Sequence, residues 1–146
     1  MRIFSLYLYK YIYMPRRKRL RKVVAPPGFK GYKPYGHQKR TRDHVDLLYE
    51  EYEAIKLADY DGLNHQEAAI LMGISRPTFA RIYESARKKI ALALVEAKEI
   101  KTVYGDAWMD KNWFECGDCH ARFSIPSNNE SRLCPICKSG KIETLI

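Results

Sequence analysis

The stretch NHQEAAILMGISRPTFARI, residues 64–82, decides how this chain is read. Asn64 followed by Glu67 has capping-box spacing: a short polar side chain accepts an orphan helix N–H, and the acid answers the N–H of the cap. This predicts a short helix from about His65 to Met72. Gly73 stops it, since glycine adopts a left-handed backbone at no steric cost. Ser75 caps the next helix, with Pro77 in its first turn, where a missing N–H costs little. Counted from His65, Ala69 is the small residue where two helices touch, and Ala68, Met72, Ile74, Phe79 and Ile82 fill the apolar places. The pattern is that of a helix-turn-helix. A plain helical hairpin has the same apolar periodicity. The four-residue turn Gly73 to Arg76, the polar outer face of the following helix and the basic segment upstream favour the helix-turn-helix.

Working outward, Leu48, Tyr52, Ile55 and Ala58 or Asp59 fall at helical spacing before Gly62, which predicts an amphipathic helix over 46–60. Downstream, Phe79, Ile82, Ala86, Ile90 and Ala93 or Leu94 keep one apolar face. No glycine or proline follows before Gly105, so the third helix is expected to reach about Glu99. The expected fold class is mainly α: a helix-turn-helix domain over 45–105, with an extended basic N-terminal arm and a small C-terminal β zinc ribbon.

The arm is expected over 14–44. Of the 26 Lys and Arg residues, 13 lie before Asp43, the first acidic residue, which leaves 13 basic against 17 acidic residues in the remainder. The net charge of +9 therefore comes from one end. Pro26, Pro27, Gly28, Gly31, Pro34 and Gly36 oppose helix there. A basic run without an amphipathic helix suits a polyanion such as nucleic acid better than a membrane surface; a merely solubilising tail is the bland alternative. Residues 1–13 are apolar but too short to span a bilayer, and Arg2 and Lys10 interrupt them. They lack a cleavage site, so a cytoplasmic location is expected. Met14 is a candidate start, with residues 1–13 an upstream extension.

Cys116-x-x-Cys119 and Cys134-x-x-Cys137 have the two-knuckle spacing of a four-thiolate metal site, in a module expected over 106–146. Trp113, Phe114, Phe123, Ile125 and Ile142 are placed to cover a ribbon of three strands. One structural Zn2+ is the expected cofactor, since four protein ligands leave no open position for catalysis; iron uses the same ligand set. Disulfides suit a cytoplasmic protein poorly. The run Cys116 to His120 also spells a haem-attachment motif, but that leaves Cys134 and Cys137 unexplained.

Candidate DNA-contacting residues follow from the motif. Arg76, Pro77, Thr78, Arg81 and Ser85 are expected to reach base edges, with Arg76 and Arg81 suited to bidentate contact with guanine. Lys88 is expected at the phosphate backbone. In the arm, Arg16, Arg17, Lys18, Arg19, Arg21 and Lys22 are expected to follow phosphates or enter a minor groove.

Further residues carry a family resemblance. Met14-Pro15-Arg16, Phe29 with Lys33-Pro34-Tyr35-Gly36, EAIKLAD (53–59), QEAA (66–69) and MGISRPTFARIYESARKKIA (72–91) resemble the domain-of-unknown-function family 134, over about residues 14–105. These are small predicted DNA-binding proteins whose helix-turn-helix is similar to region four of sigma factors. The resemblance implies sequence-specific DNA binding and transcriptional regulation, and no particular target. Residues 1–13 have no counterpart, Arg17 stands where the family usually has proline, and the cysteine module lies outside.

The expectation is a regulator of transcription that binds duplex DNA, with a homodimer compatible with the few contacts one helix-turn-helix offers. The alternative is a zinc-ribbon protein that contacts RNA polymerase or RNA without reading DNA sequence. No enzyme is expected: paired carboxylates, a nucleophile with its base and a phosphate-cradling glycine loop are all missing.

Overall fold

The helices of the motif pack on one another and on the helix before them. A computed structural model describes residues 18–36, 43–126 and 130–145. Helix α1 (Tyr49–Ile55) runs on through a π-helical turn, Lys56–Tyr60. Helix α2 (His65–Met72) and helix α3 (Arg76–Val95) follow. Ala54 and Leu57 from the first, Ala68, Ala69 and Met72 from the second, and Phe79 from the third form a buried cluster, flanked by Ala58, Leu63, Ile74, Ile82 and Tyr83. Small residues at Ala54, Ala68 and Ala69 let the helix axes approach, and Phe79 fills the space between them.

The fold is not the mainly α one that the periodicity predicts. Among the described residues, eight strands accompany the three α-helices: β1 (Arg21–Lys22), β2 (Gly31–Tyr32), β3 (His44–Leu48), β4 (Glu99–Val103), β5 (Ala107–Trp108), β6 (Trp113–Cys116), β7 (Arg122–Ser124) and β8 (Ile142–Thr144). They form three sheets, β1-β5, β2-β4-β3 and β7-β6-β8.

The predicted helix over 46–60 starts late because its first residues belong to β3. Val45 and Leu47 are buried while His44 and Asp46 are exposed, the two-residue alternation of a half-buried strand. At the other end, α3 stops at Val95, short of Glu99. Ala97 takes a left-handed backbone (φ 52°), which turns the chain into β4. β3 and β4 lie side by side and parallel, so all three helices form one crossover between neighbouring strands.

Nor is the basic segment wholly a free arm. β1 pairs in parallel with β5, and β2 pairs antiparallel with β4. Val23 is fully buried with Tyr49 and Ala107, and Pro26 and Pro27 are buried as well. Gly31 is demanded by this pairing: a Cβ there would lie 2.0 Å from the Ile100 carbonyl oxygen.

The C-terminal ribbon is antiparallel throughout, with Phe114 and Phe123 stacked across β6 and β7, ring centroids 6.3 Å apart. It is joined to the rest by Arg122, whose guanidinium donates to the Pro27 carbonyl (3.2 Å) and to Thr102 Oγ1 (3.0 Å). Leu145 packs against the Val23 cluster. Among the described residues, no helix is long and apolar enough to cross a membrane.

Candidate nucleic-acid interface and metal centre

Both ends of the turn between α2 and α3 are fixed locally. Asn64 Oδ1 accepts the Glu67 N–H (2.9 Å) and Glu67 Oε2 accepts the Asn64 N–H (3.0 Å), a complete capping box. Gly73 adopts φ 66°, ψ 32°, and its N–H bonds the Ile70 carbonyl (3.1 Å). A side chain there would be strained, so this glycine sets the angle at which α3 leaves. Ser75 Oγ accepts the Thr78 N–H (3.3 Å), and Pro77 sits in the first turn.

The start of α3 is therefore set by its cap. Arg76, Pro77 and Arg81 are exposed and Thr78 is half-buried. Thr78 Oγ1 lies 2.8 Å from Ser75 Oγ and accepts from the Arg81 guanidinium at 3.3 Å, which lines Arg81 up along the helix face. Beside this end of α3 runs the basic segment. Lys18, Arg19 and Arg21 line one groove with Ile74, Ser75, Thr78, Arg81 and Ile82, about 680 Å³ in volume. The structure thus brings arm and helix cations together although about 55 residues separate them.

The arm cations are held there by acids from β5 and its flanks. Asp106 pairs with Arg21 (3.2 Å) and Lys18 (3.6 Å), and Asp110 pairs with Lys22 (2.9 Å). The Arg21 N–H also donates to the Asp106 carbonyl (2.8 Å). Asp106 is itself placed by buried Glu50, whose Oε1 accepts its N–H (3.1 Å). Sequence reasoning does not find Asp106 or Glu50, because both act across long sequence separations that leave no local signal.

The other predicted contacts are distributed differently. The Ser85 hydroxyl donates to Glu51 Oε1 (2.8 Å) and so faces α1. Lys88 pairs with Glu84 one turn earlier (3.0 Å), on the exposed side. His65 packs edge-on against Phe79 and Tyr83, with centroids 5.2 and 5.1 Å away. Arg16 and Arg17 lie outside the described residues.

In the C-terminal ribbon the four predicted ligands converge. The Sγ atoms of Cys116, Cys119, Cys134 and Cys137 all lie within 4.8 Å of one another. Cys116 and Cys137 are 3.5 Å apart, and Cys119 and Cys134 3.6 Å. A tetrahedral ion with metal–sulfur bonds of about 2.3 Å places its sulfurs about 3.8 Å apart, so the donor set fits such an ion. The two knuckles repeat one another. His120 N–H bonds the Cys116 carbonyl and Lys138 N–H the Cys134 carbonyl, each at 3.0 Å. His120 and Lys138 share a left-handed backbone, with φ 60° and 61°.

The knuckle backbones also favour thiolates. The Cys119 N–H holds the Cys116 thiol below its ordinary value. Burial pushes Cys134 up, yet the N–H groups of Cys137 and Ile136 and the neighbouring sulfurs bring it down to about 6. Cys137, despite the Ser139 N–H, is pushed up to about 12 by burial and by the other three sulfurs. A bound cation would hold all four as thiolates. Buried Cys116 and Cys134 alternate with exposed Cys119 and Cys137, one of each per knuckle.

Capped helices, a turn glycine and a four-cysteine ribbon define a helix-turn-helix protein with an appended candidate metal module. The chain belongs to the family described as "Protein of unknown function DUF134", whose model matches residues 12–110. The cysteines lie C-terminal to that region. A UPF0251 protein of Chloroherpeton thalassium is 42% identical over 132 residues, covering 90% of this chain and 87% of the relative. A UPF0251 protein of Halothermothrix orenii is 38% identical, covering 89% and 99%. One from Methanothermobacter thermautotrophicus is also 38% identical, covering 90% and 68%. An alignment of 132 residues cannot fit within residues 12–110, so the likeness runs on into the ribbon. No solved structure matches the chain.

Proposed function

We propose that the protein binds duplex DNA and regulates transcription, with the start of α3 in the major groove. The observation that carries this reading is the groove where Lys18, Arg19 and Arg21 stand beside Thr78 and Arg81. Exposed arginines at the N-terminal end of a rigidly capped second helix are what base-edge contact requires, and cations along its flank suit the adjoining phosphates. Arg76 and Arg81 read bases, and Pro77 and Thr78 offer apolar contact to a thymine methyl. Lys18 and Arg19 meet phosphates, while Arg21 and Lys22, already paired with Asp106 and Asp110, mainly fix the arm.

The cysteine centre holds one structural zinc ion in this reading, bound by Cys116, Cys119, Cys134 and Cys137. Its binding supplies folding energy to a ribbon with almost no apolar core of its own. The test is retention on random duplex DNA as a function of salt. The two phosphate-contacting cations, Lys18 and Arg19, give a slope of log affinity against log salt of roughly −2. Removing either helix arginine should reduce that slope by about one if the residue meets a phosphate, and leave it nearly unchanged if it meets a base. Retention on RNA but not on duplex DNA would favour the ribbon-based alternative.

A further inference from the structure

A second basic cleft lies where the β2-β4-β3 sheet meets the ribbon. Lys30, Gly31 and Lys33 from β2 and its flanks, Glu99, Lys101, Thr102 and Val103 from β4, and His120 and Arg122 from the ribbon line a space of about 580 Å³. It shares no lining residue with the groove beside α3.

The charges in this cleft are not balanced. Glu115 alone faces two of them, with Lys30 at 2.8 Å and Arg122 at 3.0 Å, and the His120 imidazole lies 3.7 Å away. Lys33 and Lys101 are exposed and have no acidic partner among the described residues, and Glu99 has no basic one. Four permanent cations, Lys30, Lys33, Lys101 and Arg122, therefore stand against the carboxylates Glu99 and Glu115, with Asp46, beside Lys101 in the β3-β4 register, as a third. The arrangement is also pre-set. Arg122 is 5% exposed and tied to Glu115, Thr102 and the Pro27 carbonyl, so it cannot swing away to solvent. Gly31 leaves the floor of the cleft without a side chain, opposite Lys101 in the β2-β4 register.

We propose that this cleft binds a phosphate group, with the Lys33 and Lys101 ammonium groups as its main contacts and Lys30 as a third. Two ammonium groups without partners and a concave, partly desolvated floor suit a compact multiply charged anion better than a carboxylate, because each phosphate offers several acceptor oxygens. The phosphate is either that of a nucleic-acid backbone, which would carry bound DNA from α3 towards the ribbon, or that of a free phosphorylated compound. The site does not depend on the DNA-binding reading, since none of its residues belongs to the α3 groove.

The experiment uses the full metal-loaded chain and two probes, inorganic tripolyphosphate and a short duplex of random sequence. Tripolyphosphate is titrated while the backbone amides of Gly31, Lys101 and His120 are followed by NMR. Saturable shifts at those amides are expected, weakened about tenfold or more in the double variant Lys33→Gln, Lys101→Gln. Both side chains are exposed, so the variant should keep the wild-type spectrum elsewhere. Arg76→Ala should leave tripolyphosphate binding unchanged. If the double variant also loses duplex affinity, with a salt slope smaller by about two, the phosphate is that of DNA. Loss confined to tripolyphosphate assigns a free phosphorylated ligand, whether or not the protein binds DNA. Unshifted amides, or a double variant that binds tripolyphosphate like the wild type, would overturn the proposal.

Discussion

Lys89 Nζ on α3 lies 2.8 Å from Oε2 of Glu51 on α1, a carboxylate only 5% exposed. The same carboxylate accepts the Ser85 hydroxyl (2.8 Å) and the Leu48 N–H (2.9 Å), so one side chain fixes α3, caps α1 and ends β3. Removing it strands three donors. Glu51→Ala is expected to lower the unfolding free energy by about 2–4 kcal/mol in urea denaturation. Lys89→Met should cost less, because Glu51 keeps two donors. An alanine variant as stable as the wild type would show that this tie does not hold the helices.

Ser85 tests which face of α3 meets DNA. With its hydroxyl committed to Glu51, Ser85→Ala should cost about 1 kcal/mol of stability and leave duplex affinity unchanged. Arg81→Ala should do the reverse: little change in melting, and a loss of about 1–3 kcal/mol on a specific site. Competition binding and thermal melting of both variants separate the two effects.

Glu53 is 1% exposed, and neither of its carboxylate oxygens has a well-aligned hydrogen-bond partner among the described residues. Burial raises its pKa above the ordinary range, against weaker opposing pulls from the Lys56 ammonium and the Val24 main chain. An acid whose folded pKa is raised contributes stability that is fully present below its unfolded pKa and lost as pH rises through the folded value. Stability relative to Glu53→Gln should therefore shift in favour of glutamine as pH rises above the ordinary carboxylate range. Paired melting curves across that rise check the sign; parallel curves would place Glu53 in contact with a compensating donor.

The cysteine centre predicts one metal ion per chain by elemental analysis, zinc rather than iron. Cys134→Ser, which removes a buried ligand, should abolish stoichiometric binding and collapse the NMR dispersion of residues 113–145, while α1 to α3 persist. The helices share few side chains with the ribbon, so their cluster around Phe79 should survive. A ribbon that keeps its dispersion in the presence of a strong chelator would contradict a metal-dependent fold.

What was legible in the sequence was whatever repeats at short range. Asn64 with Glu67, Gly73 and Ser75 mark the ends of α2 and α3, and the bounds His65–Met72 follow directly. The two CxxC pairs announce their convergence for the same reason. The strands were hidden because their partners are remote: β1 pairs with residues more than eighty positions away, and two paired residues have no period to detect. β4 reads Glu-Ile-Lys-Thr-Val, a fair strand, but the apolar helical face of α3 runs up to it without a glycine or proline. Only Ala97, in a left-handed backbone unusual for alanine, marks the boundary. The grouping of Lys18, Arg19 and Arg21 with Arg81 was invisible for the same cause, since it rests on β1 meeting β5 and on Asp106.

Selection of bound sequences from random duplex DNA at roughly physiological salt, with Arg76→Ala and Arg81→Ala run beside the wild type, tests the central claim most directly. The account predicts one enriched motif for the wild type, which loses information at particular positions in each variant. Retention without enrichment, unaltered by either substitution, would contradict base reading by α3 and leave the protein a holder of phosphates alone.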